Sequence, residues 1–297
     1  MFNEITLSWW NTGLVPPVSK KIKEPVDILK VEKIKNVIFH IMEKLPIDIL
    51  ILGEVSQPCS HHLELIAKDV HMDLVLSTEK INNINFDIAL FYEIDKLEFI
   101  EKENLVPKTS FGKHIRCGTR FLFREKTTHE DLTIFVSHWP SRLHNPYNRT
   151  VFGQKLREHI NFIFNKNIDN IILVGDYNDQ PYSESITEGI EASKDIDIVR
   201  KKRELLYNPF WRHLDKRDEE HIFSGSYYHK GNLFDKWFTY DQMMFSSSFL
   251  IKRKSGWKLD INSSCFHDDT IDETEIGFDF LKYFDHVPIY SRILKNE

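Results

Sequence analysis

Short apolar runs alternate along this chain with longer segments whose apolar residues recur at helical spacing. The apolar run at 171–174 predicts a buried strand that ends at Gly175. Asp176 and Asn178 come directly after that strand end. Polar groups at the rim of a sheet are typical of active sites in layered α/β proteins, although the same pair also fits a turn that bonds only to nearby backbone. The rest of the chain is needed to decide between a site and a turn.

The remaining pattern predicts a mixed arrangement of strands and helices. Helical spacing predicts helices over 28–45, 60–69 and about 152–163. Apolar and β-branched runs predict strands at 5–10, 48–52, 72–77, 86–92, 96–100, 118–124, 132–137 and 241–245. The region 205–240 is aromatic and irregular, and an acidic surface loop is expected at 267–275. Several strands follow one another as hairpins, which favours a mixed α/β sandwich over a doubly wound parallel sheet, in one domain spanning 1–297.

Composition limits the possible classes of protein. The 297 residues are 41% hydrophobic and 28% charged, which is ordinary for a globular chain. A formal net charge of −6 argues against a generally basic protein that coats nucleic acid, but permits a local basic groove. The three cysteines are widely spaced and form no CxxC pair, so neither a disulfide framework nor a thiolate metal site is indicated. We see no signal peptide and no span of about 20 apolar residues, so the cytoplasm is the expected location.

Polar residues also follow or border the other predicted strands. Each of them could also have a purely structural role. Asn11 could form a turn, Glu54 could lie in a solvated loop, and either histidine could make a structural hydrogen bond. It is their joint recurrence that favours a site. The candidates besides Asp176 and Asn178 are Asn11, Glu54, His138, Asp241, Asp285 and His286.

The order of these segments resembles the endonuclease/exonuclease/phosphatase superfamily, which includes deoxyribonuclease I. The resemblance covers 5–290 and rests on six short motifs. They are SWWN at 8–11, LGEV at 52–55, SHWPSR at 137–142, GDYN at 175–178, YDQ at 240–242 and DHVP at 285–288. The HWPSR form, with NPFW at 208–211 and GSYY at 225–228, is similar to a bacterial subgroup without a firm substrate. The resemblance implies a four-layered sandwich of two packed mixed sheets flanked by helices.

The resemblance also implies a role for each candidate residue. Glu54, Asp285 and the Asn11 oxygen would hold Mg²⁺, with Mn²⁺ as a substitute, because hard cations prefer oxygen ligands. Asp176 would orient or deprotonate the attacking water, and Asn178 would hold the phosphate. His286 would pair with Asp241, and His138 would stabilise the transition-state oxygens or protonate the leaving group. Guanidinium groups match phosphate oxygens, so the candidates for a phosphate clamp are Arg120, Arg142 and Arg149, each of which also fits a solvated surface position.

Three functions compete at this stage. The first is a Mg²⁺-dependent nuclease, with aromatic residues at 207–240 stacking on unpaired bases and the basic runs 201–203 and 252–254 following the backbone. The alternative is a phosphatase or phosphodiesterase acting on a small molecule or lipid head group, which the acidic net charge favours. The third is an inactive binding module, against which the retention of both histidines and all the acids argues.

Overall fold

The computed structural model describes residues 4–141, 146–215, 223–251, 256–267 and 270–295, and all statements below refer to these. The strands are β1 Glu4–Val15, β2 Ile49–Val55, β3 Asp73–Ser77, β4 Lys80–Ile81, β5 Ile84–Asn85, β6 Ile88–Tyr92, β7 Leu97–Leu105, β8 Gly118–Glu125, β9 Asp131–His138, β10 Ile171–Asp176, β11 Ala192–Ser193, β12 Leu206–Tyr207, β13 Tyr227–Tyr228, β14 Trp237–Phe238, β15 Asp241–Ser246, β16 Trp257–Phe266 and β17 Ile289–Lys295. The α-helices are α1 Ile28–Lys44, α2 Ser60–Asp69, α3 Pro146–Phe164, α4 Ile196–Lys201, α5 Glu273–Ile276 and α6 Phe280–Tyr283. Short helical segments of other types occur at Lys21–Lys23, Gln57–Cys59, Ser185–Gly189, Pro209–Asp215 and Ser247–Phe249.

Two large mixed sheets form the centre of the structure. The first has the strand order β16-β17-β1-β2-β6-β3, and the second has the order β11-β12-β15-β10-β9-β8-β7. Apolar residues of both inner faces, among them Trp9, Ile51, Val174 and Met243, belong to one continuous core. Helices α1 and α2 pack against the first sheet, and α3 packs through Leu156 on the outer face of the second. The predicted four-layered α/β sandwich is therefore confirmed.

Helix α1 shows why the apolar spacing was informative. Val31, Ile34 and Ile38 are buried on one side of it. The side chain of Asp27 caps its first turn by accepting a hydrogen bond from the Lys30 amide at 3.1 Å. The helix ends before Pro46, which cannot continue it.

Strand pairing brings three candidate residues side by side. β10 runs parallel to β9 with Asp176 opposite His138, and antiparallel to β15 with Asp176 opposite Asp241. Gly175 makes the close approach to β9 possible, because a Cβ there would lie 1.8 Å from the Ser137 carbonyl oxygen. In the first sheet, Asn11 of β1 lies opposite Gly53 of β2. The polar strand ends therefore gather at one rim of the sandwich.

Several predicted bounds differ from the structure. β1 continues to Val15 and β2 to Val55, so Asn11 and Glu54 lie within strands rather than after them. Residues 257–266, for which no strand is predicted above, form the edge strand β16, because apolar and polar residues alternate at the start of this segment. The acidic segment expected as a loop contains α5, which Asp272 caps through the Thr274 amide.

No helix in the described parts of the chain is long and apolar enough to cross a membrane.

A buried histidine predicts acid sensitivity of the fold. His267 is fully buried, with Nε2 3.1 Å from Ser8 Oγ and Nδ1 2.8 Å from Thr270 Oγ1. Burial lowers its pKa to about 3. An unfolded histidine has a pKa of about 6.5, so this contribution to stability is complete above pH 6.5 and is lost as the pH falls towards 3.

We therefore expect the free energy of unfolding to fall by about 2 kcal/mol through His267 between pH 7.5 and pH 5. Denaturant titrations at both pH values should show a smaller fall for His267→Gln. His61→Gln is the matched control, because the His61 side chain is 76% exposed. An equal pH dependence in all three proteins would refute this role of His267.

Candidate active site

A seam between the two sheets holds the residues that the sequence singled out. Hydrogen bonds cross it from β1: Trp9 Nε1 donates to Asp241 Oδ1 at 2.7 Å, and Asn11 Nδ2 donates to Asp176 Oδ2 at 3.2 Å. Trp10 Nε1 donates to the carbonyl of His286 at 2.9 Å. The first strand thus aligns groups carried by β10, β15 and the segment before β17.

Asp176 is the centre of this seam and is almost completely buried. Its Oδ1 accepts the Asn178 backbone N–H at 2.8 Å, and its Oδ2 accepts Asn178 Nδ2 at 3.1 Å. Burial and the charge of Asp241 raise the pKa of Asp176 to about 6, although His286 opposes the shift. A carboxylate with this pKa is ionised at neutral pH yet basic enough to accept a proton.

The Asn178 side chain is engaged by neighbouring groups of the site. Its Nδ2 donates both to Asp176 Oδ2 and to the Trp139 carbonyl at 2.9 Å, which engages both protons of the amide. Its backbone has a φ of 52°, a left-handed conformation that occurs more often at functional sites than elsewhere. These contacts hold the Asn178 side chain against Asp176, and its role in holding phosphate stays a prediction.

A first histidine–aspartate pair lies on one side of Asp176. His286 Nδ1 lies 2.8 Å from Asp241 Oδ2, so the predicted pairing is present. His286 Nε2 lies 3.8 Å from Asp176 Oδ2. Burial alone would lower the pKa of His286, but Asp241 and Asp176 outweigh it and raise this pKa to about 10. The imidazole is therefore cationic at neutral pH, with Nδ1 fixed by Asp241 and Nε2 directed towards Asp176.

A second pair lies on the other side, and sequence reasoning missed one of its members. His138 Nδ1 is 2.5 Å from Oδ2 of Asp87, a fully buried carboxylate that also bonds Arg116 Nη1. Arg116 Nη2 donates to the His138 carbonyl at 3.0 Å. Burial opposes the charge on His138, but Asp87 outweighs it and raises the His138 pKa. Asp87 precedes a strand instead of following one, so no strand-end signal marked it.

Two of the three predicted metal ligands line a cleft at the mouth of the seam. The cleft has a volume of about 470 Å³ and contains Glu54 and Asp285 together with Tyr227 and Tyr228. Asn11 Oδ1 lies next to this cleft, because it accepts a hydrogen bond at 3.2 Å from the backbone N–H of Gly13, which is a lining residue. Two carboxylates and an amide oxygen are the donor set that Mg²⁺ prefers, so these residues fit a hard divalent cation.

A second cluster also has metal-like spacing. Ligand atoms of Asp176, Asp241 and His286 lie within 4.8 Å of one another. Both oxygens of Asp241 already accept hydrogen bonds, from Trp9 and from His286. Hydrogen bonds from Trp9 and His286 thus hold Asp241 in this cluster.

Lys30 is a cation in the cleft that the sequence did not reveal. Its Nζ donates to the Gly13 carbonyl at 2.6 Å, and its side chain lines the same cleft as Glu54 and Asp285. Burial lowers the Lys30 pKa, and the charges of Asp285 and Glu54 act in the opposite direction. Lys30 therefore adds a basic group at the mouth of the site, in the same cleft as both carboxylates.

The predicted phosphate clamp is not assembled by the described arginines. Arg120 points to the outer face of the second sheet, where Nη2 bonds Glu101 at 2.8 Å and Glu103 at 3.0 Å. Arg149 is buried, and its Nε lies 2.9 Å from Asp179 Oδ2. Arg120 and Arg149 are thus each paired with carboxylates that are distant in the sequence. We correct the assignment of these two arginines from a phosphate clamp to structural ion pairs. Arg142 lies outside the described residues.

The basic run at 201–203 also lies away from the site. Arg203 pairs with Asp169, just before β10 begins. Asp176 lies at the other end of the same strand. This run therefore cannot follow a nucleic-acid backbone through the cleft. The run at 252–254 is outside the described residues.

Two packed mixed sheets with acids, amides and histidines at one rim define a deoxyribonuclease I-like fold. The model of the Endonuclease/Exonuclease/phosphatase family matches residues 25–287, and the chain belongs to this family. No curated protein is detectably similar to it in sequence.

Solved structures with the same fold include a sugar phosphatase and a protein in complex with a DNA product. The human Nocturnin catalytic domain is similar at 16% identity and a TM-score of 0.62, over 98% of this chain and 94% of that one. A Bacteroides thetaiotaomicron mannosyl-6-phosphatase is similar at 17% identity and a TM-score of 0.59, over 98% of this chain and 99% of that one. D. rerio TDP2 in complex with a single-strand DNA product is similar at 13% identity and a TM-score of 0.58, over 98% of both chains. At such identities the likeness establishes the fold alone.

Proposed function

We propose that this protein is a divalent-cation-dependent hydrolase of phosphate esters, with Mg²⁺ as the cation and Mn²⁺ as a substitute. The observation that carries this proposal is the placement of Asp176 between two histidine–aspartate pairs. His138 lies on the strand to one side of Asp176, and Asp241 lies on the strand to the other. One carboxylate that accepts protons and two imidazoles, each paired with an aspartate, match the needs of phosphoryl transfer to water.

Glu54, Asp285 and Asn11 would hold the cation, which when bound supplies positive charge to the phosphoryl oxygens. Asp176 accepts the proton of the attacking water as the new P–O bond forms. His286 donates a hydrogen bond from Nε2 to a phosphoryl oxygen, and Asp241 keeps that imidazole charged. His138 protonates the leaving oxygen as the old P–O bond breaks, and Asp87 fixes the ring that carries this proton.

For the substrate, we propose a phosphodiester in a short or single-stranded nucleic acid. Tyr227 and Tyr228 line the cleft, where aromatic rings are suited to stack on unpaired bases. The similar fold of D. rerio TDP2, whose structure contains a single-strand DNA product, is in accord with this substrate. A net charge of −6 disfavours tight binding of long duplexes. The cytoplasm remains our predicted location.

A small phosphate ester is the second candidate. The position of 201–203, away from the cleft, removes one of the two basic runs expected to bind a polymer. The mannosyl-6-phosphatase of the same fold is in accord with this alternative.

A substrate panel separates the two candidates. Purified protein with Mg²⁺ would be incubated with single- and double-stranded DNA and RNA, inositol phosphates, sugar phosphates, nucleotides and sphingomyelin. We expect cleavage of single strands above all others, and loss of it in His286→Ala. Release of phosphate from small esters alone would favour the second candidate. No hydrolysis by a folded, metal-bound protein would refute both.

Metal affinity tests the assignment of Glu54. Glu54→Gln removes one anionic ligand, so we expect Mg²⁺ or Mn²⁺ to bind about 10- to 100-fold more weakly by calorimetry, with little change in thermal stability. Glu64→Gln, on an exposed face of α2, is the matched control. If affinity instead falls in Asp176→Asn and not in Glu54→Gln, the metal belongs to the cluster of Asp176, Asp241 and His286.

A further inference from the structure

A rigid turn presents an exposed phenylalanine beside the active site. Phe111 is 91% exposed. It lies at the tip of a tight turn in which Thr109 N–H bonds the Lys113 carbonyl and Gly112 N–H bonds the Thr109 carbonyl, both at 2.9 Å. Gly112 has a φ of 77°, which a glycine adopts without strain. A large aromatic ring at the exposed tip of a hydrogen-bonded turn is accessible to a planar ligand that stacks on it.

Phe111 borders a cavity of about 410 Å³, within the size range of small-ligand pockets. Most of its lining is apolar, and a few polar groups interrupt it. The apolar lining residues are Ile84, Phe111, Ile115, Pro140, Val151 and Phe152. Thr109 and Ser110 add hydroxyl groups, and Lys113 adds a cation. Apolar faces with a small number of hydrogen-bonding groups suit a flat heteroaromatic ring.

The cavity adjoins the catalytic seam on the His138 side. Arg116 forms part of its wall and donates to the His138 carbonyl at 3.0 Å. Pro140, two residues after His138, forms another part. A group in this cavity would therefore belong to the portion of substrate bonded to the phosphate that His138 serves.

We propose that this cavity is a nucleobase subsite, in which Phe111 stacks on the base next to the scissile phosphate. The proposal rests on the proposed function as a phosphoester hydrolase and names the substrate class of that site. An aliphatic chain would use none of the polar groups at the rim, whereas the edge of a base can accept a hydrogen bond from the exposed Ser110 hydroxyl or the exposed Lys113 ammonium. Lys113 attracts the adjoining phosphate.

Phe111→Ala tests the subsite against two kinds of substrate. For a short single-stranded oligonucleotide we expect KM to rise about 10-fold, with kcat changed by less than about 2-fold, because one stacking contact is lost. Hydrolysis of ethyl 4-nitrophenyl phosphate, a diester without a base, should not change. Phe111→Trp should restore the oligonucleotide KM. The matched control is Phe162→Ala, since Phe162 is 57% exposed on α3.

Other outcomes would overturn the subsite. Equal losses on the oligonucleotide and on the base-free diester would indicate a structural role for Phe111. A loss confined to sphingomyelin vesicles would mean that the cavity takes an aliphatic chain. If no substrate is cut, the proposed function fails, and binding of an oligonucleotide containing 2-aminopurine still tests the subsite. If the protein quenches the 2-aminopurine fluorescence and Phe111→Ala abolishes this quenching, the subsite is supported. If there is no quenching, or if the variant quenches equally, the subsite is overturned.

Discussion

Replacing Asp176 with asparagine is expected to lower kcat by about 10³- to 10⁴-fold, because the substitution removes the base that accepts the proton of the attacking water. The volume of the side chain is unchanged, and Asn11 and Asn178 still surround it. Thermal unfolding should therefore change little. Steady-state kinetics on the best substrate of the panel provides the measurement, and Asp197→Asn, with a 73% exposed side chain, is the control. A folded Asp176→Asn protein with normal turnover would exclude this role.

The pH profile provides an independent signature of the same residue. The Asp176 pKa is about 6, so kcat should fall about tenfold per pH unit below that value as the carboxylate is protonated. His286, with a pKa of about 10, stays cationic across the neutral range. The residual activity of Asp176→Asn should lack the acid limb. An acid limb that persists in the variant would assign the titration to another group.

The second large effect is expected at Asp87. Asp87→Asn removes the buried negative charge that both His138 and Arg116 contact. We expect kcat to fall about 10²- to 10³-fold, because His138 loses the partner that raises its pKa and orients its ring. The free energy of unfolding should fall by about 3 kcal/mol, because removing one member of a buried ion pair leaves the others uncompensated.

A surface pair provides the comparison for Asp87. Arg124 and Asp131 form an ion pair with side chains 40% and 32% exposed, and Asp131→Asn should cost less than about 1 kcal/mol. Denaturant titrations of the two variants measure the difference, and kinetics measures the effect on turnover. Equal, small effects in both would mean that Asp87 has neither role.

The sequence was sufficient to predict those site residues whose positions depend only on strand ends and strand pairing. The apolar run before Asp176 fixed its place at a strand end, and the pairing of β9, β10 and β15 brought His138 and Asp241 beside it. The four-layered fold followed from the order of the motifs. In both cases the local pattern and the tertiary structure agree.

Partners of charged side chains could not be predicted in the same way. Nothing near Arg149 in the sequence shows that Asp179 will neutralise it, and nothing near His138 points to Asp87. In the sequence, Lys30 is one of several lysines on the polar side of helix α1. Only the fold shows that its ammonium group contacts the Gly13 carbonyl. Ion pairs between distant segments depend on side-chain direction and burial, which spacing does not contain.

The central position of β1 has a consequence for how the chain folds. Trp9 pairs with Ile289 on one side and with Ile51 on the other, so the middle of the first sheet joins segments from opposite ends of the sequence. Closing so large a loop carries an entropic cost before its contacts form, and such topologies fold slowly. Until β17 docks, His286 is not held against Asp241 and Trp10. The histidine–aspartate pair therefore assembles late, and recovery of activity during refolding should trail the formation of helices.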